Sequence, residues 1–158
     1  MIMKQNFAPH ENSDSSPEAQ TVESFDFGGR EQPVSFIETI NVVDGVECDV
    51  YSYDDDPTKD LGVIRIKPGM KTPLQRVLKG ELTVEGYLAG KGKLTIIKPD
   101  GSQKVYGVDK DDKEPKYFSV EAGDTMQWEA SPDSALTAYE ICLPPYEDGR
   151  FENIESVI

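Results

Sequence analysis

Histidine is almost missing from this chain: of 158 residues only His10 is one, so from residue 11 onward no imidazole is available as base, proton shuttle or metal ligand. Cysteine is nearly as scarce. Cys48 and Cys142 each stand inside an apolar, strand-like stretch, and no Cys-x-x-Cys pair occurs. That pattern excludes a disulfide scaffold or a thiolate zinc site and points to two buried thiols in a reducing compartment. Long apolar runs are absent too, all falling far short of the ~20 residues that span a bilayer. The opening "MIMKQNFAPHENSDSSPEAQ" has no apolar segment of secretory type. A soluble cytoplasmic protein is the expectation. Basic residues are few, 16 against 30 acidic, for a formal net charge of −14. Such a field repels polyanions, so neither nucleic acid nor an anionic membrane is expected as a partner.

What is present divides in two. Residues 1–24 are rich in Ser, Glu, Asp, Gln and Pro and poor in branched apolar residues. A segment of that composition buries too little surface to offset its ordering entropy, so a flexible acidic tail is predicted, with one short helical turn over "SSPEAQTVE". Residues 25–158 are long enough for one domain with a proper core. From Val34 on, the chain reads as nine short runs rich in Val, Ile, Thr, Tyr and Phe, among them "VECDVYSY", "LGVIRIK", "ELTVEGYLA", "KLTIIK", "DTMQWEA" and "ALTAYEICL". Most alternate apolar and polar residues, and turn chemistry separates them. Pro99, Asp100 and Gly101 mark the clearest hairpin. Helical spacing does not persist beyond a turn or two. The fold class is all-β, a sandwich or barrel of antiparallel strands.

Two acidic stretches invite a calcium reading. In "DKDDKEPK", Asp109 and Asp111 have the spacing of the first two ligands of a calcium loop, but the glycine at the sixth position and the glutamate at the twelfth are missing. It reads as a solvated loop, as does "DDDPTKD".

The "KPGMKTP" turn, the "EGYLAGKGKLTI" strand pair and the later "VEAGDTMQWEA" together resemble the cupin superfamily over residues 61–145. The resemblance implies a small antiparallel β-barrel (double-stranded β-helix, or jelly roll) carrying two metal-binding motifs. Counted from Gly69, the two histidine positions of the first motif fall on Gln75 and Val77. The glutamate position falls on Thr83 when counted back from Gly90, or on Glu85 when counted from Gly92. The last histidine position, counted from Gly123, falls near Ser134. The resemblance therefore implies a degenerate member that holds no transition metal and no cofactor, which removes the oxygenase chemistry of metal-holding relatives.

A pocket remains possible in such a barrel. Alternation puts Thr83, Glu85 and Tyr87 on one face of their strand and Leu82, Val84 and Leu88 on the other. With Gln75, and with Arg65, Gln127 and Tyr139 joining them, these polar groups suit a small, hydroxyl-rich ligand such as a carbohydrate. The expectation is a binding module in which Glu85→Gln weakens the ligand. The alternative is a metal-independent sugar isomerase or epimerase, with Glu85 or Glu129 as base and Tyr87 or Tyr139 as acid. Trp128 is read as core. After Pro144 and Pro145 end the last strand, "YEDGRFENI" is expected to run back over the sheet, burying Tyr146, Phe151 and Ile154, with Arg150 pairing with an acidic residue. Open sheet edges and apolar patches predict a homodimer.

Overall fold

A computed structural model describes residues 24–27, 30–114 and 116–154. The expected tail, apart from Ser24, and its helical turn lie outside the described residues. Within them the chain forms eleven strands and no helix. They are β1 (Ser24–Phe27), β2 (Arg30–Val43), β3 (Val46–Tyr53), β4 (Asp60–Ile66), β5 (Leu74–Val77) and β6 (Leu82–Ile97), then β7 (Gln103–Asp109), β8 (Tyr117–Val120), β9 (Thr125–Ala130), β10 (Leu136–Leu143) and β11 (Phe151–Ile154).

Every pairing is antiparallel, and the strands follow one hydrogen-bonded path, β1-β2-β3-β4-β10-β6-β9-β5-β11, with β7 and β8 also on β6. The architecture turns on β6. Its first half pairs with β10 and β8, its second half with β7 and β9. Two layers result that share one strand: β2, β3, β4, β10, β8 and the start of β6 face β7, β9, β5, β11 and the end of β6. The "ELTVEGYLA" and "KLTIIK" runs, read as two strands, are therefore one. The Gly90-Lys91-Gly92 stretch between them bends the chain without ending the ladder. Gly101 closes the β6–β7 hairpin at φ +87, while Asp100 Oδ1 accepts the Ser102 backbone N–H at 2.8 Å.

The core lies between the layers. Ile64, Ile66, Leu136 and Ala138 from one meet Leu94, Met126 and Trp128 from the other, with Phe151 of β11 among them. Both thiols belong to this core, and burial is the main cause that pushes them well above their ordinary pKa. A second apolar cluster covers the opposite face of the first layer, where Tyr51, Leu61, Val63, Val84, Tyr139 and Ile141 pack with Phe25 of β1. The C-terminal segment does return as an added strand, β11 on β5, burying Phe151. Arg150 behaves differently from expectation: it is 1% exposed, and its hydrogen bonds go to the carbonyls of Pro144, Leu82 and Leu143 and to Thr83 Oγ1 rather than to a carboxylate. No helix long and apolar enough to cross a membrane occurs among the described residues.

Candidate functional site

The residues singled out from the sequence separate by the face of the sheet they occupy. Thr83, Glu85 and Tyr87 do share the inner face of β6, opposite Cys142, Glu140 and Ala138 of β10. Gln75 shares the core side of β5 with the buried Val77. Each of the four is already committed to the protein. Trp128 Nε1 donates to Glu85 Oε1 at 2.7 Å. Thr83 Oγ1 accepts from Arg150 Nη2 at 3.1 Å. Tyr87 donates its hydroxyl to Asp112 Oδ2 at 2.7 Å and accepts the Lys116 N–H at 3.2 Å. Gln75 Nε2 donates to Asn153 Oδ1 across the β5–β11 pair. Apolar side chains occupy the space between the layers, so these groups are part of a packed interior.

The other three do not join them. Arg65 alternates with the core residues Ile64 and Ile66 and so lies on the opposite face, where Nε and Nη2 bind the two Asp49 oxygens at 3.0 and 2.9 Å. Tyr139 is likewise on that face, its ring edge-on to Phe25 at 4.8 Å between centroids, and burial pushes its phenol up to about 12. Gln127 lies on the outer face of the second layer, between the core residues Met126 and Trp128, and donates to the Thr72 carbonyl at 2.9 Å. A single cavity gathering all seven side chains is thus not formed, because the strand pleat sends neighbours to opposite faces.

Glu85 has an unusual setting. It is fully buried, and Oε2 meets no N–H or O–H donor among the described groups. Directly opposite on β10 is Glu140, 2% exposed. Burial first, then the neighbouring Glu140 carboxyl, push Glu85 well above the ordinary carboxylate range. Glu140 escaped the sequence reading, though an acid inside the apolar run "AYEICL" is a signal that could have found it.

Open space lies outside the barrel. A groove of about 620 Å³ crosses the outer face of the second layer, lined by the polar groups of Lys71, Thr95, Gln103 and Gln127 over apolar contributions from Leu74 and Ile97. A second, of about 540 Å³, adjoins it. Both include Lys93 and Glu129, whose charged groups approach to 3.5 Å. None of Gln75, Thr83, Glu85 or Tyr87 lines either groove. Among the described residues no three His, Cys, Asp or Glu side chains gather as metal ligands would. In the stretch read as a solvated loop, Asp109 and Asp112 bond within their own turn and to Tyr87.

No family model matches the chain, and no curated protein matches it. Solved structures do. The capsular polysaccharide assembling protein CapF from Staphylococcus aureus is 16% identical, with a TM-score of 0.60, over 78% of this chain and 35% of that one. Oxalate decarboxylase from Bacillus subtilis is 13% identical, with a TM-score of 0.58, over 70% of this chain and 28% of that one. The chain thus spans about a third of the length of these proteins. At such identities the likeness is one of architecture. Its strand order and two-layered core, taken with these neighbours, make the fold a cupin-like antiparallel β-barrel of jelly-roll type.

Proposed function

We propose that this is a metal-free cupin-like protein that binds a small, hydroxyl-rich molecule of carbohydrate type, and that it does so in the outer groove rather than inside the barrel. The observation that carries this reading is the lining of the 620 Å³ groove. Its volume falls in the range of small-molecule sites, and its amides, hydroxyl and ammonium groups border an apolar strip. Vicinal hydroxyls pair with such amide and charged groups, while the apolar face of a pyranose lies on the strip. The Glu–Tyr isomerase alternative finds no support in this groove: Glu129 lines it, but no tyrosine does, and Tyr139 is separated from Glu85 by the sheet itself.

Calorimetry against a panel of neutral and acidic mono- and disaccharides tests the reading. Lys71→Ala and Gln103→Ala, both at exposed side chains, should weaken a binder roughly tenfold each, the loss of one charged or amide hydrogen bond, with no change in melting temperature. Glu85→Gln should leave the affinity alone. Weakening by Glu85→Gln but not by Lys71→Ala moves the site to the interior, and no binding across the panel removes the reading. Elemental analysis of dialysed protein should find well below one transition metal per chain; one tightly held metal per chain contradicts the metal-free part.

The homodimer also belongs here as a proposal, through the outer face of the first layer. Phe36, Leu88 and Tyr117 expose 44%, 46% and 57% of their surface around its buried apolar centre. Two copies of a chain carrying −14 repel one another, so an apolar face is the surface on which they pair at least cost. Light scattering at micromolar concentration should give twice the chain mass, and a monomer mass would remove the dimer.

A further inference from the structure

Gly107 has no local reason to be glycine. It stands inside β7 with a φ outside the left-handed region, and the β6–β7 ladder passes through it without a register shift. A Cβ built there meets nothing within 4 Å, whereas one at Gly86 or Gly92 of β6 would fall 2.2 Å from the Tyr139 ring or from the Glu129 carbonyl oxygen. A glycine inside a strand weakens it, having no side chain to pack and more freedom to lose on folding. What the missing side chain leaves is space. Between the core-side residues Tyr106 and Val108, Gly107 faces outward, directly opposite Lys93, and floors the 540 Å³ groove.

The two outer grooves meet beside this glycine. Lys93 and Glu129 line both, and their side chains are partly exposed, so the ion pair between them is a weak divider that a ligand can part. Along β6 the joint lining runs from Ile97 to Lys91, about 20 Å at ~3.3 Å per residue. Such a length suits a chain of sugar rings rather than one ring. The charges select its character. Glu129 is held by Lys93, Asp109 Oδ1 accepts the Asp111 N–H at 2.9 Å, and Asp112 Oδ2 accepts the Tyr87 hydroxyl at 2.7 Å. Lys71 in the first groove and Lys91 in the second are exposed and have no ion pair among the described residues. The carboxylates of the lining are thus partnered, while one ammonium in each groove is left for a ligand.

We propose that the two grooves form one elongated site for a short, linear, acidic oligosaccharide built of uronate-type units, with Gly107 as the floor over which the chain passes. This extends, and rests on, the reading of the 620 Å³ groove as a carbohydrate site. Lys71 and Lys91 take carboxylates of the ligand, one in each groove. At the junction the Lys93 ammonium donates to sugar hydroxyls and the Glu129 carboxylate accepts from them. A side chain at position 107 would occupy the space of a ring there. The net charge of −14 opposes a long polyanion, which limits the fitting ligand to a short oligomer.

Calorimetry on the full-length protein with galacturonate oligomers of two, three and four units, and with neutral cello-oligosaccharides of the same lengths, tests the proposal. The acidic tetramer should bind roughly tenfold or more tightly than both the acidic dimer and the neutral tetramer, and added salt should weaken it. Lys91→Ala and Gly107→Thr should each remove the advantage of the tetramer over the dimer, a loss of about tenfold. Gly107→Thr should also keep or raise the melting temperature, since threonine is the better strand residue and its Cβ has room. A lower melting temperature with the tetramer's advantage intact would make Gly107 a structural residue and overturn its role. If Gly107→Thr does not fold, Lys91→Ala, a change at an exposed side chain, still decides. Dimers that bind and depend on Lys71 but gain nothing from length overturn the elongated site and leave the first groove standing, whereas failure of every sugar at every length removes both. Acidic and neutral tetramers binding alike overturn the choice of ligand.

Discussion

Arg150→Ala should destabilise the protein by about 4 kcal/mol, near the upper end of what single substitutions usually cost. The guanidinium is almost wholly buried, donating to Pro144 O at 2.8 Å, Leu82 O at 2.9 Å, Leu143 O at 3.3 Å and Thr83 Oγ1 at 3.1 Å. These acceptors lie at the start of β6 and at and just beyond the end of β10, while Arg150 itself immediately precedes β11. The side chain therefore ties the returning C-terminal segment to the two central strands. Truncation removes charged hydrogen bonds worth ~1.5–3 kcal/mol each in favourable cases and leaves a void the size of a large side chain. Some acceptors keep another partner, as Leu143 O keeps the Glu81 N–H, which holds the total near 4 rather than at the sum. Arg150→Met separates the two contributions, since it restores much of the volume without the donors; about half of the loss should return. Urea unfolding measures both, and a loss below about 1 kcal/mol for the alanine variant would show that the carbonyl cage contributes little.

The same residue shows where sequence reading stops. That "YEDGRFENI" returns to the sheet was legible from the proline pair before it and the aromatic residues within it. That Arg150 would seek carbonyls was not, because nothing local distinguishes an arginine bound for a carboxylate from one bound for strand ends distant in sequence. Strand identity was legible where β-branched runs alternate, and all nine expected runs lie in strands. β1, β5 and β11 were missed: each has only four residues, a length at which period alone is a weak signal, although the equally short β8 was read. Facing was legible on β6, where Thr83, Glu85 and Tyr87 alternate with apolar residues. It failed on β4 and β10 because both faces of the first layer are covered. With apolar residues required on each side, Arg65 and Tyr139 carry no sign of which way they point. Gln127 failed for another reason: its strand alternates cleanly, but the polar face was assumed to be the interior. On β9 the inner face is apolar and the polar face looks outward, the reverse of β6.

Gly90→Val should be more damaging still, at about 4 kcal/mol or more, and here the reason is the bend that lets β6 serve both layers. Gly90 sits at φ +83, and a Cβ built there falls 1.8 Å from the Ala135 carbonyl oxygen and 2.8 Å from its carbon. The backbone conformation alone costs a β-branched residue ~1–3 kcal/mol. The clash adds to this, because the obstacle is backbone of the turn that leads into β10 and cannot rotate away as a side chain would. Relief requires moving Ala135 off β6 and with it the start of the β10–β6 ladder, where Leu136 pairs with Gly90. Gly101 supplies the control. It has a similar φ of +87 but nothing within 4 Å of its would-be Cβ, so Gly101→Ala isolates the conformational cost at about 1 kcal/mol. Thermal unfolding of the two variants side by side should therefore separate sharply, with Gly101→Ala folded and slightly less stable and Gly90→Val largely unfolded or recovered insoluble. Equal small losses in both would mean that the β6 bend tolerates displacement of the β10 turn, and that the shared strand is not the rigid hinge on which the two layers depend.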